Sequence, residues 1–309
     1  MNIKGVVFVL ISAFIFGFTP ILGKLSYAGG SNAIMLTFLR SFLVIPILYL
    51  LLQKNKIPLS LNKKEKRDIL VLSIFGSSLT TVSLYASYNY ISVGLATTLH
   101  FLYPCLVFLF TILFMKTKVN KIQILALVVA TIGVMLFCDF SGQGSVIGLV
   151  LSLLSAFSWA FYVIYQDFAQ LTHLHPLKFC FYQACFVSLV MLLPGLIWKK
   201  FTLSLTPLAL IYSFIIAISV SIGAVGFLQA GIRLVGPATT SVLCTLEPTT
   251  SIIFGLLVLN EELTLFKAIG SVLIIASVVL ISFTSQRQSI AESGDTGANG
   301  NYPTGGGII

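Results

Sequence analysis

Charge is what this sequence has least of. Among 309 residues only 18 are Lys or Arg and 9 are Asp or Glu, so charged side chains make up 9%, where soluble domains carry roughly 25%. There is too little polar surface to cover a globule in water, which excludes a soluble domain. Signature motifs are lacking as well. There is no Gly-x4-Gly-Lys-Ser/Thr phosphate loop, no His-Glu-x-x-His zinc helix and no Gly-x-Ser-x-Gly elbow, so ATP hydrolysis by that route, zinc proteolysis and elbow-type hydrolysis have no residues to carry them. The five cysteines, Cys105, Cys138, Cys180, Cys185 and Cys244, fall in or beside apolar runs without metal-ligand spacing or a disulfide framework. They read as small apolar residues, and no cofactor or metal is expected.

What is abundant is hydrocarbon. Hydrophobic residues make up 57% and mean hydropathy is +1.03. The runs are longer than the ~10-residue alternating strands of a membrane barrel. The expected fold class is therefore an all-α polytopic membrane protein. Counting ~20 apolar residues per crossing predicts ten transmembrane helices, near 5–27, 32–53, 69–90, 94–115, 121–138, 146–167, 177–198, 208–230, 236–259 and 264–284. The first holds Gly17, Pro20 and Lys24 and is read as a span, not a cleaved signal peptide. Residues 285–309 form a Gly-rich tail without periodicity, expected to be disordered.

Basic residues set the orientation. With the N-terminus inside, thirteen Lys and Arg fall on the cytoplasmic side, three (Lys199, Lys200, Lys267) fall outside, and Lys24 and Arg40 lie within spans. The asymmetry places both termini in the cytoplasm. It also explains the net charge of +9 without nucleic acid as a partner. The basic loop 54–67 contains Asn62-Lys-Lys-Glu65, a capping-box pattern.

The chain repeats itself. Ser12-Ala-Phe-Ile-Phe-Gly-Phe18 returns as Ser155-Ala-Phe-Ser-Trp-Ala-Phe161 at an offset of 143, and Val93-Gly-Leu-Ala-Thr-Thr98 as Val235-Gly-Pro-Ala-Thr-Thr240 at 142. Pro104 matches Pro248 at 144, with Phe110 and Phe254 in the same register. Each half then holds five spans, residues 1–138 and 146–284 with a linker at 139–145. An odd number of spans inverts the second half relative to the first. The loop charges agree, with Lys116, Lys118 and Lys121 in one half and Glu261 and Glu262 at the matching place in the other. Inverted repeats are the mark of secondary transporters, whose substrate site lies near mid-membrane between the halves.

Ten spans in a 5+5 arrangement, the Val235-Gly-Pro-Ala238 segment, the Leu246-Glu247-Pro248 turn and the Asn260-Glu261-Glu262-Leu263-Thr264 ending resemble the EamA family of the drug/metabolite transporter superfamily. The first repeat departs from the pattern, with Lys116-Thr-Lys118 where an acidic loop is common. The resemblance covers residues 5–284 and implies a carrier of amino acids, cofactors or other metabolites, with export favoured.

Polar residues inside spans are the functional candidates, because a charge in hydrocarbon costs ~2.5–3.5 kcal/mol on insertion scales. Glu247, directly before Pro248, is placed to exchange a proton or hold a substrate amine; it equally fits a carboxyl bonded to backbone loosened by the proline. Arg40 fits a carboxylate or phosphate substrate, or a snorkelling side chain. Ser152, Ser155, Trp159, Tyr162 and Gln166 follow helical spacing in span 6, with Ser155 expected to pack and the three larger residues to line a cavity. His100, Tyr103 and Pro104 share a region of span 4, with His100 either a proton relay or bonded to a neighbouring hydroxyl. Tyr85, Tyr88 and Gln229 complete the binding candidates, and Pro104 and Pro248 are expected to hinge their helices. His173 and His175 read as a solvated loop.

The sequence thus points to a secondary transporter in a cytoplasmic membrane. Its cargo is a small amphipathic or zwitterionic organic solute, with S-adenosylmethionine or another nucleotide-like metabolite as the alternative. Protons are a candidate coupling ion, and a homodimer stays open. An intramembrane enzyme pairing Glu247 with His100, and a passive channel, are the rivals from other classes.

Overall fold

The computed structural model describes residues 3–115, 121–136, 145–201, 205–235, 243–244, 246–266, 268–277 and 279–280. Among these there is helix and no strand. Six helical stretches are long and apolar enough to cross a bilayer: Ile3–Ala28, Ala33–Lys54, Lys63–Ser87, Val146–Gln166, Pro176–Ile197 and Pro207–Leu228. Four shorter apolar helices accompany them, Val93–Val107, Ile124–Gly133, Leu246–Leu259 and Ala268–Ser277. Leu193, Leu196, Ile197 and Leu257 stand largely exposed, which is stable only where the surrounding solvent is lipid.

The helices start where local chemistry dictates. Helix α1 (Ile3–Ala28) ends at Gly29 and Gly30, the latter at φ 89°, a left-handed turn that glycine adopts without a Cβ clash. Asn32 caps α2 (Ala33–Phe42), its side-chain oxygen accepting from Ile34 N at 3.1 Å and Met35 N at 3.0 Å. The capping box at the start of α4 (Lys63–Val71) forms as its sequence implies: Glu65 N donates to Asn62 at 2.7 Å, and Asn62 N donates to Glu65 at 2.8 Å.

The stretches are less regular than hydropathy suggests. The second breaks between α2 and α3 (Ile45–Lys54), where Pro46 withholds an N–H. The span expected at 94–115 breaks at Phe101 and Leu102 between α6 (Val93–His100) and α7 (Tyr103–Met115). Within the third, a π-helix at Leu72–Ser78 separates α4 from α5 (Leu79–Ser87). These are followed by α8 (Lys121–Met135), α9 (Val146–Phe168), α10 (Pro176–Ile197) and α11 (Pro207–Ile218). A second π-helix at Ser219–Ala224 leads into α12 (Val225–Val235), then α13 (Leu246–Leu259) and α14 (Ala268–Ser277). The 139–144 part of the linker, Lys116, Lys118 and residues 281–309, which include the tail, lie outside the described residues.

The two halves interlock. Helix α1 packs on α11, α12 and α13, while α9, which opens the second half, packs on α5, α6 and α7. Each half therefore places its first helix inside the other. Small residues permit the closest crossing: a Cβ on Gly17 would press into the Glu247 carbonyl and lie 2.7 Å from Thr250 Cβ, and Ser251 Oγ donates to Gly17 O at 2.6 Å. Outside helices 1 and 9, hydroxyls such as Thr37, Thr97, Thr98 and Ser213 donate to carbonyls four residues back, each at 2.7 to 2.8 Å, so they are buried without unmet hydrogen bonds.

His173 and His175 take separate structural roles at one end of the bundle. His175 caps α10 by accepting from Leu177 N at 3.3 Å. His173 bonds the Gln170 carbonyl and reaches Glu65 at 3.0 Å. The Gln170 carbonyl first, and Glu65 second, favour the charged imidazole and raise its pKa above the ordinary 6.5. The tie is therefore fully present below the ordinary value and lost as pH rises through the raised one. Hydrogen exchange of the loop 169–175 is expected to quicken across that window, and His173→Gln to flatten the change.

Candidate functional site

Helix α9 is the backbone of the site. Ser155 and Trp159, one turn apart, face α6, and Tyr162 follows on the next turn. Ser155 is fully buried and donates to Ser152 O at 2.7 Å. His100 Nδ1 lies 2.9 Å from Ser155 Oγ, the neighbouring-hydroxyl arrangement. The rings then form a continuous row. Trp159 stacks on Tyr162 with centroids 4.6 Å apart and planes 4° from parallel. Tyr103 meets Trp159 edge-on at 6.3 Å and 85°. His100 sits 5.9 Å from Tyr103 and 6.4 Å from Trp159. Stacked and edge-on contacts of this kind are favourable by about 0.5–1.5 kcal/mol beyond area burial.

An ionisable group stands towards each end of this row. Near the Tyr162 end, Arg40 is half-buried, reaches Tyr85 Oη at 3.5 Å and acts electrostatically on Tyr162. Among the described residues it has no carboxylate within ion-pair distance. At the other end Glu247 acts electrostatically on Tyr103 and bonds the Cys244 thiol. It lies in the first turn of α13, where the helix dipole favours a carboxylate.

Not every candidate joins the row. Tyr88 packs instead with Tyr85, Ile21 and Leu36 in a separate buried cluster. Gln166 lies one turn beyond Tyr162 and, among the described residues, makes no hydrogen bond with the row. Its place is taken by Gln183 of α10, whose Nε2 donates to Tyr162 Oη at 3.0 Å. The side chain of Gln229 lies outside the described residues. Pro104 and Pro248 each sit in the first turn of a helix that follows an interruption. The Lys24 ammonium donates to the Tyr88 carbonyl.

Sequence reasoning missed three partners. Gln183 lies in an apolar helix without a polar stripe to mark it. Gly76 of the first π-helix lets α9 approach, since a Cβ there would lie 2.8 Å from Tyr162 Cδ2. Glu261 accepts from Val93 N at 2.5 Å and Gly94 N at 3.3 Å, capping α6 from the far end of α13. That contact brings the start of α6 beside the end of α13.

Three comparisons bear on this arrangement. The model of the EamA-like transporter family matches residues 3–138 and again 146–283. The uncharacterized transporter sll1319 of Synechocystis sp. is 23% identical over 311 aligned positions, covering 92% of this chain and 94% of that one. The uncharacterized inner membrane transporter YicL of Salmonella typhimurium is 26% identical, covering 74% and 77%, and the uncharacterized transporter YvbV of Bacillus subtilis 28%, covering 67% and 68%. A solved crystal structure superposes with a TM-score of 0.60 at 14% identity, over 89% of this chain and 99% of that one, which speaks for the fold alone. Two family matches in tandem, on a chain whose described residues form helices long and apolar enough to cross a membrane and no strand, make this a two-repeat, multi-pass membrane transporter: the chain belongs to the EamA-like transporter family.

Proposed function

We propose that the chain is a secondary transporter that moves a small amphipathic or zwitterionic organic solute, an amino acid or related metabolite, out across the cytoplasmic membrane by alternating access. The observation that carries this reading is the row Tyr162–Trp159–Tyr103 with Arg40 towards one end and Glu247 at the other. Aromatic faces receive an apolar body, the guanidinium a carboxylate, and the carboxylate an amine or a coupling proton. The Trp159–Tyr162 stack is closed on itself, so a solute ring enters by parting or replacing it.

Ten spans in two inverted halves, 1–138 and 146–284, with both termini cytoplasmic, complete the proposal. The exchange of first helices between halves supports it. So does the Glu261 contact: residue 93 begins the fourth span and residue 261 follows the ninth, and antiparallel halves bring those two ends to the same surface.

The test is a thermal-shift screen of the purified chain against a panel of amino acids, followed by counterflow in proteoliposomes. A solute that binds the folded state raises the melting temperature, and counterflow separates a carrier from a channel. Trp159→Ala is expected to weaken the binding solute by about 30-fold, the loss of one anchoring aromatic. An unchanged shift in that variant removes this site from the account.

A further inference from the structure

Two stretches of π-helix interrupt α-helical spans, Leu72–Ser78 and Ser219–Ala224. A π-turn is a rare wide turn that distorts hydrogen bonding and marks kinks. One would be a local feature of one helix. Two, in the third span of each half, call for a shared cause. They also begin alike: Ser73 Oγ donates to Ile69 O at 2.8 Å, and Ser219 Oγ donates to Ile215 O at 2.6 Å. Both pairs are separated by the same 146 positions, and such back-bonding bends a helix.

Each π-segment is held by a serine from the first helix of the other half. Ser12 Oγ donates to Ala224 O at 2.8 Å. Ser158 Oγ lies 2.9 Å from Gly76 O and 2.5 Å from Phe75 O. Both serines belong to the repeated motif that opens with Ser12-Ala-Phe and Ser155-Ala-Phe-Ser158, one helical turn apart in its register. The usual satisfaction of a buried hydroxyl here is its own helix four residues back; these two reach across to carbonyls of the π-turns. The first segment also touches the candidate site, through Gly76 against the Tyr162 ring and through Ser158 beside Trp159.

We infer that the two π-segments are a matched pair of hinges, each latched by a serine hydroxyl from the opposite half, and that Gly76 couples the first hinge to the Trp159–Tyr162 stack. Bending at 72–78 swings α5 and the start of α6 against α4; bending at 219–224 swings α11 against α12. A solute that parts Trp159 from Tyr162 presses on Gly76 and shifts α9, which loosens the Ser158 latch. The hinge role rests on the transporter reading, but its test needs no solute.

Hydrogen exchange of the full chain in lipid nanodiscs reads the latches. The amides of 72–78 and 219–224 are expected to exchange faster than the α-turns on either side. Ser158→Ala should speed 72–78 by about threefold to tenfold, the loss of one hydrogen bond, and leave 219–224 as it was. Ser12→Ala should do the reverse, and Ser158→Thr, which keeps the hydroxyl, should retain the slow rate. Spin labels on Leu208→Cys, exposed on α11, and Glu262→Cys, in a chain with its own cysteines replaced by alanine, read the bending, and each latch variant should broaden that distance distribution. Exchange that rises everywhere alike, exchange that does not rise, or a distribution that both alanine variants leave unchanged overturns the hinge pair. If no amino acid binds or is carried by the wild type, the amino-acid reading of the cargo fails while the exchange results still stand.

Discussion

Arg40→Ala is expected to lower flux of a carboxylate-bearing solute by about 100-fold, because a charge-assisted hydrogen bond between guanidinium and carboxylate is worth about 1.5–3 kcal/mol and more where water is scarce. The side chain is half-buried in a membrane helix and, among the described residues, has no carboxylate to pair with. On the proposed reading, the ~2.5–3.5 kcal/mol that an arginine costs in a span is offset when an anionic solute binds. Arg40→Lys should recover little, since an ammonium cannot present the same planar fork. Glu247→Gln is the companion at the other end of the row. It preserves size and removes titration, so flux should lose its dependence on pH while solute binding persists. Flux unaffected by Arg40→Ala would remove the guanidinium from the site, and a pH profile unaltered by Glu247→Gln would remove proton coupling.

Gly17→Val should be the most damaging change to the fold. No space exists for a Cβ between α1 and α13: it would meet the Glu247 carbonyl and lie 2.7 Å from Thr250 Cβ. Backbone on both sides cannot give way as a flexible side chain can. Overpacking typically costs about 1–3 kcal/mol, and here it also breaks the Ser251 to Gly17 hydrogen bond. A lower melting temperature and loss of flux together are expected, with Gly17→Ala milder. A Gly17→Val protein that melts and transports as the wild type does would show that α1 and α13 do not cross at this point.

Much of the architecture is written in local pattern. Apolar runs and the Asn62–Glu65 box mark where helices begin, and the Ser-Ala-Phe and Val-Gly-x-Ala-Thr-Thr repeats mark the two halves, because each depends on residues near one another in sequence. The π-segments are not visible in the same way. A widened, underwound turn leaves the hydropathy of Leu72–Ser78 unchanged, so a continuous span is all that composition conveys. The aromatic row was half legible. Trp159 and Tyr162 announce themselves on the face of α9, and His100 and Tyr103 by their chemistry, but Gln183 and Gly76 matter only through contacts across helices. Tyr88 is ambiguous for the converse reason: a tyrosine in a span fits a packed cluster as well as a binding site, and here it packs with Tyr85, Ile21 and Leu36.

Antiparallel halves underlie both the proposed cycle and the pairing of hinges. The measurement that reaches this claim most directly is labelling of single cysteines with a membrane-impermeant maleimide in intact cells. Lys118→Cys and Glu262→Cys stand in the matching loops of the two halves. Glu262→Cys should react from outside, and Lys118→Cys only after the membrane is opened. Reaction of both from the same side would contradict the inverted arrangement, and with it the alternating-access account.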